Sequence, residues 1–225
     1  MADNLKPDES PLEIAARKRK QRSETILAKE GLRVDTSLRT IASDREALER
    51  TDAEVAFRAM CLIAVAMKGE GRGMPTVLRL IRDYGLARYF SERERAFVKN
   101  PAPGKRDSDR FSWRYEAAWT LLWALGYVEL LGRPDRACDV AKLLAVMRDR
   151  SAARFIDEAS LRGMPQILDQ ADLVYRYRRA VIDALVARKT PPAGLSPNVT
   201  DERHYALQWL IGRAGRGWDE VTTES

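Results

Sequence analysis

"RFSWRYEAAWTLLWALGYVELL", Arg110 to Leu131, decides the fold. At 100° per residue, Trp113, Ala117, Ala124 and Val128 fall on one side of a helix, and Tyr115, Trp119 and Leu122 fall on the other. Leu121 and Leu125 fill the gap between them. A helix that is apolar around its whole circumference must be surrounded by protein. Arg114 and Glu116 interrupt that apolar surface. Residues two apart on a helix do not face one another, so the two cannot pair together. A charge in such a place needs a partner from another segment. The expected partner of Glu116 is Arg178, or Arg203 and His204 of "DERHY". A buried pair of this kind sets packing specificity. The alternative use of the same groups is a polar floor beneath an aromatic pocket that holds an anionic or planar ligand.

A second segment has the same character. "TDAEVAFRAMCLIAVAMKGEG", Thr51 to Gly71, opens on a capping box, Thr51 with Glu54, and is apolar on every face from Val55 to Met67 except at Arg58. The helices Asp52–Lys68 and Phe111–Leu130 are therefore expected to form the centre of an all-α, single-domain bundle of about eight or nine helices. Around them, further segments read as helices, several of them started by proline or a cap and stopped by glycine or proline: "PLEIAARKRKQRSETILAKEG", "MPTVLRLIRDYG", "SERERAFVKNP", "CDVAKLLAVMRDR", "SAARFIDEASL", "MPQILDQADLVYRYRRAVIDALVARK" and "TDERHYALQWLIG". "NPAPGKRDSDR" and "TPPAGLSPNV" read as connections. No alternating run bounded by turn residues suggests a strand. The domain is expected over residues 11–217, with disordered tails at 1–10 and 218–225.

The bulk composition fits this reading. Of 225 residues 45% are hydrophobic and 32% charged, enough for one filled core with a polar surface. No apolar run approaches the ~18 residues that span a bilayer. A basic stretch followed by an apolar one is absent from the start, so no secretion signal is expected. The two cysteines lack CxxC spacing, which suits reduced thiols in a cytoplasmic protein with no membrane attachment.

The net charge of +6 is concentrated in "RKRKQR", Arg17 to Arg22, which holds five cations. Arg17, Lys18, Arg19, Lys20 and Arg22 are thus candidate contacts to an anion or nucleic acid. The chain nonetheless carries no helix-turn-helix, zinc-finger or ribonucleoprotein signature, and a solvated helix face is the simpler account. On the long helix, Asp169, Asp172, Arg176, Arg179 and Asp183 form one stripe at spacings of three and four, which reads as a solvated, salt-bridged face. Arg178 points with Ile167, Val174, Ile182 and Leu185, so it must be paired, must snorkel, or must reach a ligand.

Catalytic signals are sparse. His204 is the one histidine, so histidine-rich metal sites are ruled out by count, and Cys/His zinc spacing is absent. No GxSxG elbow accompanies His204. "GEGRG", Gly69 to Gly73, lacks the Lys-Ser ending of a phosphate loop and reads as a connection between helices. No metal and no cofactor are expected. The candidate binding residues are Trp113, Arg114, Glu116, Trp123, Arg178, Arg203 and His204. Three functions are open: a non-catalytic module that binds a protein or small molecule, an enzyme using the Glu116/Arg178/His204 patch, and a nucleic-acid-associated protein using the basic N-terminal helix. The oligomeric state is left open.

Together, the RSExIL element of "RSETILAKEG", "SWRYEAAWTLLWALG" (SWRYEAxWxLLWALG), "LDQADLVYRYRRAVIDAL" and "ERHYALQWL" (ERHYALxWL) resemble an uncharacterised bacterial family described only as a domain of unknown function. The resemblance spans about Arg19 to Gly212. It implies a single all-helical domain and brings no activity, ligand or catalytic residue. Members of that family often read "YRLHWA" where this chain has "YRYRRA", Tyr175 to Ala180, so a histidine–tryptophan pair is replaced by Arg178 and Arg179. A position that accepts either histidine or arginine suits a structural or binding role better than a catalytic one.

Overall fold

Ten α-helices and three 3-10 turns account for the ordered backbone of the computed structural model, which describes residues 10–41, 50–212 and 217–222. The helices are α1 (Pro11–Lys29), α2 (Asp52–Gly69), α3 (Met74–Asp83), α4 (Glu92–Lys99), α5 (Lys105–Ser112), α6 (Arg114–Ala124), α7 (Val140–Arg148), α8 (Ala152–Asp157), α9 (Met164–Val186) and α10 (Pro197–Ile211). The 3-10 turns are Leu86–Arg88, Pro192–Gly194 and Trp218–Glu220. Trp113, between α5 and α6, is itself helical (φ −65°, ψ −14°). Those two helices are one bent body, which brings the expected eight or nine to nine. No strand occurs among the described residues.

Local chemistry starts these helices where the spacing predicts. Ser10 and Ser91 form full capping boxes with Glu13 and Glu94, and the Thr51, Asp139 and Ser151 side chains accept the N–H groups of Glu54, Lys142 and Arg154. Prolines occupy the first turns of α1, α3, α9 and α10, where a missing N–H costs nothing.

The core forms around α2 and α6. Val55 to Lys68 is buried apart from Phe57, and every residue of α6 is buried. α2 packs against α3, α4, α5, α6 and α8, while α6 also meets α7 and α10. α10 then bridges to α9, and α9 carries α1 on its other side. Where α1 meets α9 a second, smaller cluster forms from Leu27, Leu32, Tyr177, Val181 and Leu195.

One glycine sets how closely the central elements approach. A Cβ on Gly69 would lie 2.5 Å from the Ser112 nitrogen and 2.7 Å from the Ser108 oxygen. The end of α2 thus rests backbone-to-backbone on the α5–α6 bend, and only a residue without a side chain fits.

Three expectations are corrected. "KRDSDR" is not connection but helix: α5 begins at Lys105, right after Gly104, because an amphipathic turn with Phe111 on its inner face packs on α2. The central helix ends at Ala124 rather than Leu130, because Gly126 adopts φ +82° and turns the chain, leaving Leu130 exposed. Residues 218–222 are not a loose tail: Trp218 is buried, and its carbonyl accepts the Tyr205 hydroxyl at 2.6 Å. Of the tails expected at 1–10 and 218–225, residues 1–9 and 223–225 lie outside the described residues, and Ser10 caps α1.

Candidate functional site

Arg114 and Glu116 reach different partners on one neighbouring helix. Arg114 Nη1 donates to both carboxylate oxygens of Glu202, each at 3.0 Å. Glu116 Oε2 accepts from Arg203 Nε at 3.2 Å, with both residues buried. α6 and α10 are therefore joined by two adjacent ion pairs of opposite sense. Glu116 Oε1 also accepts the Cys138 N–H, and Arg203 Nη1 donates to the Gly132 carbonyl at 2.9 Å. The pair pins the 126–139 loop to the bundle, so both Glu116 oxygens are occupied by the protein itself.

The remaining residues expected at this patch disperse. Arg178 pairs with Asp201 at 2.8 Å on the margin of α10, not with Glu116. His204 is fully buried beside the Tyr175 ring (centroids 6.1 Å), and neither ring nitrogen meets a hydrogen-bond partner among the described residues. Burial, aided by the Arg178 charge, pushes its pKa down to about 3, so the imidazole is neutral. Trp123 is buried beneath the Arg162 guanidinium (5.2 Å), and Trp113 is half-buried at the α5–α6 bend. Burial pushes the Cys61 thiol up to about 12 and raises Cys138 as well, so neither is a thiolate at neutral pH. Among the described residues no group of three or more His, Cys, Asp or Glu could hold a metal ion.

The basic stretch on α1 is largely turned inward. Arg19 is buried and, with Arg22, donates to Asp169 of α9, at 3.3 and 2.6 Å. The Lys20 ammonium meets the carbonyls of Thr36 and Leu38, both at 2.6 Å. Arg17 is half-buried, leaving Lys18 and Arg22 exposed. The α9 stripe, read from the sequence as solvated, is the other half of this seam. Asp172 and Arg176 are buried, with Arg176 Nε 2.8 Å from Asp172 and Nη1 3.5 Å from Glu24 of α1. Arg179 and Asp183, 3.0 Å apart, remain a solvated pair, and Asp169 meets the exposed Arg22 at the rim of the seam. The stripe is covered because α1 docks on it and brings complementary charge.

Arg114 leads to the groove itself. A cavity of about 290 Å³ lies between α4, α5, the start of α6 and the 217–219 segment. Its walls are Phe97, Phe111 and Trp218, with Arg93, Glu94, Asn100, Asp107, Arg110, Arg114 and Asp219 around them. The Phe97 and Phe111 rings stack at 3.9 Å. The guanidiniums of Arg58 (5.4 Å) and Arg114 (5.8 Å) both lie over the Trp218 ring. Glu94 is 1% exposed, and its Oε2 takes both the Arg58 guanidinium and the Ser91 N–H. Asp219 accepts the Arg93 N–H at 3.0 Å, which fixes the C-terminal segment on the first turn of α4.

Polar satisfaction is incomplete along this wall. Glu94 Oε1, Arg114 Nε and Trp218 Nε1 are buried with no hydrogen-bond partner among the described residues. Such groups cost about 1–3 kcal/mol each, and they call for an explanation. The Arg93 and Arg110 side chains are exposed and make no ion pair among the described residues. Burial raises the Glu202 pKa against the pull of Arg114, the nearest cation.

Of the residues the sequence singled out, Arg114 alone lines this groove. Arg93, Glu94, Arg110 and Trp218 escape notice because charges in "SERER" and "KRDSDR" look solvated and Trp218 sits in an apparent tail. The capping box at Ser91 carries the usable signal: it fixes the start of α4, and Phe97 three residues beyond Glu94 places that glutamate on the inward face. A family model described as Domain of unknown function (DUF4272) matches residues 19–221, and the chain belongs to that family. Comparison with curated proteins and with solved structures gives no match.

Proposed function

We propose that this member of the DUF4272 family is a cytoplasmic, non-catalytic binding module that takes a small ligand in the groove between α4, α5, α6 and Trp218. One observation carries the reading. Two exposed guanidiniums in no direct ion pair among the described residues, Arg93 and Arg110, flank an aromatic-lined cavity whose buried edge leaves donors and an acceptor unused. The Glu116–Arg203 pair, by contrast, supports a structural role, since both its carboxylate oxygens are taken. A neutral, enclosed His204 and protonated thiols favour binding over nucleophilic or acid–base chemistry. The inward turn of Arg19 and Lys20 weighs against a nucleic-acid face on α1. The cytoplasmic assignment rests on two free cysteines, and no helix among the described residues is long and apolar enough to cross a membrane.

The test is binding of benzoate, citrate and inorganic phosphate to the full chain, followed by ligand-observed NMR and tryptophan fluorescence. At least one should bind, and the Arg93→Ala/Arg110→Ala double variant should lose that binding while keeping its melting temperature. Binding by none of the three, or binding indifferent to both arginines, would remove the proposal.

A further inference from the structure

We infer that the groove is built for a zwitterion: a small aromatic amino-carboxylate, such as a free aromatic amino acid, with its carboxylate on the arginines and its ammonium toward Glu94. This rests on the groove reading above and adds the chemical class of the ligand.

Charge balance is the first argument. Three guanidiniums (Arg93, Arg110, Arg114) and three carboxylates (Glu94, Asp107, Asp219) share one cavity. A simple anion would gain the arginines but face three acids, and a simple cation would meet the reverse. A ligand carrying both charges matches both sets. The unused buried atoms repeat the pattern at the inner edge. Arg114 Nε and Trp218 Nε1 are donors, which a carboxylate would accept; Glu94 Oε1 is an acceptor, which an ammonium would satisfy. Glu94 is only half used, because Arg58 and the Ser91 N–H both meet Oε2.

Size and wall chemistry narrow the class. The cavity of about 290 Å³ is at the lower limit of small-molecule pockets, which suits one amino acid better than a nucleotide or a flavin. Phe97, Phe111 and Trp218 line the cavity between the charged groups, so an aryl side chain meets apolar wall there.

A matched series separates the charges. L-phenylalanine, 3-phenylpropionate (no ammonium) and phenethylamine (no carboxylate) are titrated calorimetrically into the full chain. L-phenylalanine should bind at least about tenfold more tightly than either truncated compound. Arg110→Ala should weaken L-phenylalanine and 3-phenylpropionate and should not weaken phenethylamine, which loses a like charge. Because Glu94→Gln disturbs the buried Arg58 pair, the ammonium contact is tested by the ligand series and not by that variant. Equal binding of 3-phenylpropionate and L-phenylalanine overturns the zwitterion inference and leaves an anion groove standing. Equal binding of phenethylamine, or no binding by any of the three, also overturns it. The groove reading is judged separately, by the benzoate, citrate and phosphate titrations and their dependence on Arg93 and Arg110.

Discussion

Glu116 and Arg203 lie 87 residues apart in the chain and meet at 3.2 Å, 1% and 2% exposed, on the facing sides of α6 and α10. Beside them Arg114 and Glu202 form a second pair with the charges reversed. Sliding either helix by a turn would bring like charges together or leave a buried ion alone. The two pairs therefore fix the register of α6 against α10, a recognised use of buried polar groups.

Removing one partner strands the other. Glu116→Leu should cost about 3–5 kcal/mol, because it leaves the Arg203 guanidinium buried and frees the Cys138 N–H. Glu116→Leu/Arg203→Met should recover a substantial part of that loss, since an apolar pair avoids the desolvation penalty. Urea unfolding of the wild type, both single variants and the double variant closes the cycle. Additive losses would show that the pair contributes no coupling.

Gly69 makes a sharper packing test. Gly69→Ala places a methyl against the Ser112 nitrogen and Ser108 oxygen, both backbone atoms that cannot rotate away. The better helix propensity of alanine returns only about 1 kcal/mol, so a net loss of about 1–3 kcal/mol is expected. Gly104→Ala meets nothing within 4 Å and has φ −62°, so it should change stability by less than about 0.5 kcal/mol. Equal melting temperatures for the two variants would contradict the close approach of α2 to the α5–α6 bend.

His204 should make the fold acid-sensitive in a defined window. Its folded pKa, down to about 3, lies below the ordinary value of 6.5. As pH falls through the unfolded value, the unfolded chain takes up a proton that the folded chain refuses. Stability should therefore drop by about 1.4 kcal/mol per pH unit between about pH 6 and the folded value. Lowered carboxylates such as Asp135 and Glu158 steepen the acid end, whereas the raised Glu202 opposes it. The comparison with His204→Gln isolates the imidazole: the variant should lose this slope, and identical slopes would show that His204 is not a buried neutral group.

Periodicity carries far where one segment suffices to define an environment. The all-round apolar character of Val55–Met67 and Trp113–Leu125 needs no knowledge of neighbours, because a helix without a polar face has only one stable place. The helix caps at Ser91 and Thr51 work for the same reason: donor and acceptor are three residues apart. The inward demand of Glu116 was equally legible, since a lone acid among tryptophans must be paired, though the choice among Arg178, Arg203 and His204 was not.

Charged stripes carry no such address. Asp172 and Arg176 have the spacing of a solvated pair, and they are buried because α1, some 150 residues earlier, lays Glu24 against Arg176 and Arg19 against the neighbouring Asp169. The groove is of the same kind. Arg93 and Glu94 come from α4, Arg110 from α5, Arg114 from α6 and Trp218 from the C-terminal segment, and no spacing within any one of them announces the others. Local pattern by itself settled which helices are central and that the chain is all-α, because burial of a whole helix is decided by its own side chains. Only tertiary packing decided which charges meet and where a cavity opens, because pairing depends on the distance between segments that the chain does not keep close.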